Sequence, residues 1–116
     1  MKWVLLKHEW NGVHFDLLIE RAEACITFAF IENPLIKNGG KCEKKPDHRK
    51  HYLTYEGPVS DDRGVVKRIG SGELGRVFET GGNIVAGLQA PDHCILRFKH
   101  ILDADWECRI ERPFDE

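Results

Sequence analysis

Hydrophobic and polar residues alternate along most of this chain, and turn residues interrupt the alternation at short intervals. "KWVLLKHE" and "VHFDLLIE" flank Asn11-Gly12, and "CITFAFI" follows them. A long polar stretch, "ENPLIKNGGKCEKKPDHRK", carries two prolines and Gly39-Gly40 and reads as a loop. Beyond it lie "YLTYE", "GVVKRI", "ELGRVFE", "NIVAGLQ", "HCILRFKH" and "WECRIE", divided by glycine-containing breaks, by Pro91 and by the acidic "DAD". Short strands at a spacing of roughly ten residues predict an all-β, mainly antiparallel fold, a small closed or partly open β-barrel with a polar groove. No helical signal of comparable strength competes.

Parity assigns the faces, because alternate residues of a strand point the same way. In "VHFDLLIE", Val13, Phe15, Leu17 and Ile19 share the core side, while His14, Asp16, Leu18 and Glu20 share a side that faces solvent or lines a wet cavity. His8 depends on the turn. A tight two-residue Asn11-Gly12 loop places His8 opposite Phe15, on the wrong face. One further loop residue places it opposite Asp16 and on the polar side. A metal site at His8, His14 and Asp16 therefore requires a longer loop than the simple Asn-Gly turn.

Composition narrows the class. At 116 residues, 41% hydrophobic and 31% charged, the chain fits one globular domain spanning residues 1–116 and is too apolar for disorder. Its 17 basic against 19 acidic residues give a net charge of -2, so no global basic field advertises a polyanion partner. Basic residues do cluster locally, in "KCEKKPDHRK" and again at Arg63, Lys67 and Arg68. No apolar run is long enough for a membrane span, and the early charges of "MKWVLLKHEW" do not suit a signal peptide, so a cytoplasmic location is expected. Cys25, Cys42, Cys94 and Cys108 are widely separated and form no CxxC pair, which points to free buried thiols rather than a zinc knuckle.

Two imidazoles and one carboxylate are a common half-set of ligands for Mn, Fe or Zn, with positions left open for water or a substrate oxygen. The pattern H-x5-H-x-D is short, and a hairpin carrying surface histidines produces it as well. A second polar cluster, "HRKHYLTYEGP", holds His48, His51, Tyr52, Tyr55 and Glu56. His48 and Tyr52, if near a metal, can donate to phosphate oxygens or protonate a leaving group.

Taken together, the two clusters resemble the 3′-phosphoesterase domain of bacterial DNA ligase D and its stand-alone relatives. "HEWNGVHFDLLIE" is similar to that family's first signature: a histidine, five residues, then His-aromatic-Asp and a Leu-Glu-type end. "HRKHYLTYEG" resembles the second, with His48, Tyr52, Tyr55, Glu56 and Gly57 in register. "GVVKRIGSG" resembles a glycine-bounded strand of the family, with Gly64 and Gly72 at its ends. The match covers roughly residues 4 to 100.

The resemblance implies Mn-binding (or Zn-binding) roles for His8, His14 and Asp16, and catalytic roles for His48 and Tyr52. It implies removal of a 3′-terminal phosphate or ribonucleotide from a DNA or RNA primer end during DNA repair, in company with a ligase or repair partner. Arg49, Arg63 and Arg68 become candidate phosphate contacts. Three positions depart from the family, since Leu18, Glu32 and Gly40 stand where it carries basic residues. These departures make a relative that binds metal or nucleic-acid ends without hydrolysis the alternative expectation.

Overall fold

The computed structural model describes residues 1–112. Most of the described chain is antiparallel strand: β1 (Lys2–Glu9), β2 (Val13–Glu20), β3 (Cys25–Phe30), β4 (Gly39–His48), β5 (Gly57–Pro58), β6 (Val65–Thr80), β7 (Asn83–Leu88), β8 (Cys94–Leu102) and β9 (Asp105–Glu111). Two single turns interrupt them, α1 (Pro34–Lys37) and a 3-10 turn over Lys50–Leu53. Eight strands follow one another in a ring, β1-β2-β3-β4-β9-β8-β7-β6, and β6 returns to β1. The expected all-β, partly open barrel architecture is therefore present.

The long strand β6 closes the ring by serving two neighbours in succession. Its first half, Val65 to Glu73, pairs with β1, and its second half, Leu74 to Thr80, pairs with β7. Gly72 lies at this change of partner. A Cβ there would stand 1.7 Å from the Ala90 carbonyl oxygen, so only glycine permits the close pass. Trp3 Nε1 donates to the same carbonyl at 3.0 Å and ties β1 into the corner.

Apolar side chains from every long strand fill the ring. Phe28 stacks on Phe98 with ring centroids 4.0 Å apart, and Trp106 meets Phe28 edge-on at 5.4 Å. Leu5, Leu17, Ile19 and Leu96 surround them, all at most 1% exposed. Burial of these large side chains is the main favourable term of the fold. A second, smaller cluster lies on the outer face: Val4, Leu6, Leu18, Cys25 and Val66, covered by Tyr52, Leu53, Tyr55 and Val59. It has a specific consequence, because it fastens the segment after β4 onto the outside of β1 and β2.

The polar stretch read as a loop contains a strand, β4, and a capped turn. Asn33 Oδ1 accepts from Leu35 N at 3.0 Å and Asn38 takes the left-handed conformation, which bounds α1 at both ends. Only Cys42 of the β4 lysine-rich run turns fully inward, so the strand's polarity disguised it. "YLTYE" is not a strand. Tyr52, Leu53 and Tyr55 must all reach the same apolar patch, and a tight turn brings them there. "GVVKRI" and "ELGRVFE" are two halves of the single strand β6. Among the described residues no helix is long and apolar enough to cross a membrane.

All four cysteines are free and buried. Burial pushes the Cys25 thiol up to about 11 and that of Cys42 to about 12, and it raises Cys94 and Cys108 as well. Because the thiolate is the reactive form, alkylation by iodoacetamide at pH 8 is expected to be very slow in the native protein and complete on denaturation. The same shifts give a sign for pH dependence. A thiol whose folded pKa lies above its unfolded value stabilises the fold below the ordinary value of 9.0, and this contribution is lost as pH rises toward 11–12.

Candidate metal centre and its cavity

His8, His14 and Asp16 converge on the outer face of the β1–β2 hairpin. The loop joining the strands is three residues, Trp10-Asn11-Gly12, and not the tight Asn-Gly pair, as a metal site demands. The extra residue lies on the β1 side. His8 therefore faces His14 directly rather than Asp16, which sits opposite Leu6. Asn11 and Gly12 carry the positive φ angles, 53° and 116°, that turn the chain.

The three potential ligand atoms form a small triangle. His8 Nδ1 lies 3.1 Å from His14 Nε2, His14 Nε2 lies 3.3 Å from Asp16 Oδ2, and His8 Nδ1 lies 3.7 Å from Asp16 Oδ2. Two atoms each about 2.1 Å from a common ion are separated by about 3.0 Å at right angles and about 3.4 Å in a tetrahedron. The observed edges match one face of such a polyhedron. This group could hold a metal ion.

A backbone contact orients one of the candidate ligands. His8 Nε2 lies 2.7 Å from the Arg63 carbonyl, which can only accept, so Nε2 carries the proton and Nδ1 presents its lone pair to the cluster. Gly64 makes this contact possible. Its φ is +81°, and a Cβ would fall 1.9 Å from the Glu9 carbonyl oxygen, so no other residue lets the loop come so close to β1. Asp16 is only 4% exposed, and among the described residues the two imidazoles are its only ion-pair partners. A buried carboxylate with no lysine or arginine beside it is costly in the absence of a cation.

Around the cluster lies a cavity of about 460 Å³. His48 and Tyr52 line it together with the three candidate ligands, so the two sequence clusters meet in space. His48 Nδ1 donates to the Pro46 carbonyl at 3.0 Å, which leaves Nε2 available for proton exchange. Tyr52 stands 5.9 Å from the His48 ring, with the Arg49 guanidinium 5.8 Å from its own ring centre. Lys45, Arg49 and Arg63 are the basic residues of the lining, Lys45 while paired with Glu43 Oε1 at 2.9 Å. A second cavity, about 290 Å³, adjoins the first and shares His14 and Lys45 with it.

Not every candidate is part of this lining. Arg68 donates through Nη1 to the Leu53 carbonyl at 3.2 Å, and its backbone N–H donates to Glu56 Oε2 at 3.2 Å. It fastens the 3-10 turn to β6 and does not reach the cavity. Of the departures from the family pattern, Leu18 is fully buried in the outer apolar cluster and Glu32 pairs with Lys37 at 3.9 Å. Gly40, exposed on β4, contributes no side chain. Lys45 belongs to no motif of the sequence, and a bulge brings it to the site. Cys25 pairs with His48 while Thr27 pairs with Lys45, so one extra β4 residue intervenes and turns both side chains to the same face. No protein-family model matches the chain, and no curated protein matches its sequence.

Proposed function

We propose that this protein is a divalent-metal-dependent phosphoesterase acting on the 3′ ends of nucleic acid. The observation that carries the reading is the meeting, around one cavity, of a His-His-Asp ligand triangle, a histidine with a free Nε2, and three basic side chains. Two imidazoles with one carboxylate suit Mn, Fe or Zn, and the resemblance favours Mn, with Zn the next choice. When bound, such an ion supplies charge at a phosphoryl oxygen and makes water near it more acidic.

The chain's own residues divide the remaining work. His8 Nδ1, His14 Nε2 and Asp16 Oδ2 bind the ion. Lys45, Arg49 and Arg63 draw the phosphate in and offset its charge, replacing the basic residues missing at Leu18, Glu32 and Gly40. His48 Nε2 takes up a proton from solvent and passes it to the departing oxygen, and its bond to Pro46 fixes the ring for that transfer. Tyr52 holds Arg49 and His48 in place by ring contact.

The test is a 3′-phosphorylated primer incubated with manganese and either wild-type protein, His14→Ala or His48→Ala. Phosphate release is expected to fall at least a hundredfold in both variants, the scale at which a metal ligand or general acid acts. Equal release by wild type and His14→Ala sinks the proposal. Glu32, tied to Lys37, and the buried Leu18 favour one competing reading, a binder without turnover. Its signature is primer affinity that drops steeply with salt and no phosphate release by wild type.

A further inference from the structure

The three tryptophans of the chain are placed very differently. Trp3 and Trp106 are 3% and 9% exposed in the core, whereas Trp10 is 44% exposed at the tip of the β1–β2 hairpin. Trp10 belongs to neither apolar cluster. It lines the same cavity as the His-His-Asp triangle and lies nearly parallel to the His8 ring, 21° between planes and 6.0 Å between centres.

Its backbone is held in the turn. The Trp10 backbone N–H donates to the Gly12 carbonyl at 2.9 Å. Gly64 packs so tightly beneath it that an added Cβ would lie 2.7 Å from the Trp10 Cβ. A half-exposed indole beside cationic side chains, at a cavity of about 460 Å³, has a ready partner in a flat aromatic ring tethered to a phosphate.

We propose that Trp10 is a stacking platform for the nucleobase of the terminal nucleotide, so that the site selects 3′-nucleotides over simple phosphate esters. The inference rests on the phosphoesterase reading and names the group that site recognises. The base lies on the indole at the cavity mouth, and its 3′-phosphate reaches inward to Lys45, Arg63 and the triangle. Every base offers a π-face, so the platform is indifferent to sequence. Trp10 acts in binding and takes no part in proton transfer.

Calorimetry with 3′-AMP and with inorganic phosphate, both in the presence of manganese, separates the contributions. Wild type is expected to bind 3′-AMP at least tenfold more tightly than phosphate, a gap set by stacking. Trp10→Phe should keep most of that gap, and Trp10→Ala should lose it while binding phosphate and manganese as before. If 3′-AMP and phosphate bind equally to wild type, or Trp10→Ala retains the preference, the platform is refuted and the metal-phosphate reading stands. If neither ligand binds to wild type, both are refuted.

Discussion

Replacing Asp16 by asparagine is expected to weaken manganese binding by more than a hundredfold and to leave the metal-free protein as stable as wild type or slightly more so. The first half follows from its place in the triangle, 3.3 Å from His14 Nε2. Groups that merely orient a ligand are worth about 10- to 100-fold in metal affinity, and a ligand itself is worth more. The second half follows from burial. Asp16 keeps a carboxylate 4% exposed with only imidazoles for company, so in the absence of metal its charge is a burden on the fold.

Thermal unfolding shows both effects in one experiment. Metal at a hundredfold excess over its Kd stabilises a folded protein by about 2.7 kcal/mol, which for a domain of this size raises Tm by roughly 10 °C. Wild type should show that rise with manganese and Asp16→Asn should not. A proton on His14 Nε2 can bridge His8 and Asp16 when no ion is present, and a bound ion takes over that bridging place. A manganese-dependent rise in Tm that survives in Asp16→Asn would place the ion elsewhere.

The second large effect concerns Leu18. Installing arginine there, to restore the family's basic residue, is expected to destabilise the protein by about 4 kcal/mol and not to improve phosphate binding. Leu18 is 0% exposed in the outer cluster, beside Val4 and Leu6 of β1 and Cys25 of β3 and beneath Tyr52, Leu53, Tyr55 and Val59. A guanidinium placed there loses its water beneath an apolar cover, and it lifts the 3-10 turn that carries Tyr52 over the cavity. The denaturant midpoint should fall sharply, whereas Leu18→Met, nearly equal in volume, should cost less than about 1.5 kcal/mol. A Leu18→Arg protein of native stability would mean that the outer cluster does not anchor this segment.

Residue parity makes much of the site legible in the sequence. β1 and β2 run over the stretches that alternation marked, and His14 and Asp16 share a face because they are two apart in one strand. Loop length brought His8 to that face, but which strand contributed the third loop residue could not be read, so its direct partner proved to be His14. Lys45 and His48 are three apart and, by simple alternation, point in opposite directions. Their shared face depends on a bulge, and nothing in "KKPDHRK" states that the strand continues through Pro46.

Leu18 and Arg68 show a different limit. Alternation put Leu18 on the polar face, which is correct, but the cover that buries it comes from a segment more than thirty residues later, between Tyr52 and Val59. Arg68 was grouped with Arg63 by charge. Their fates diverge because β6 holds Arg68 against Leu53 and Glu56, while the loop before β6 leaves Arg63 at the cavity. Contacts between distant segments, not local propensity, decide which polar residues become a site.

A crystal structure of the protein soaked in manganese, with the ion located by its anomalous signal, addresses the site directly. The expected result is a single strong peak bonded to His8 Nδ1, His14 Nε2 and Asp16 Oδ2 and open toward His48 and Lys45. A peak held by other residues, or no peak at millimolar manganese, would contradict the proposal that this cavity is a metal-dependent phosphoesterase site.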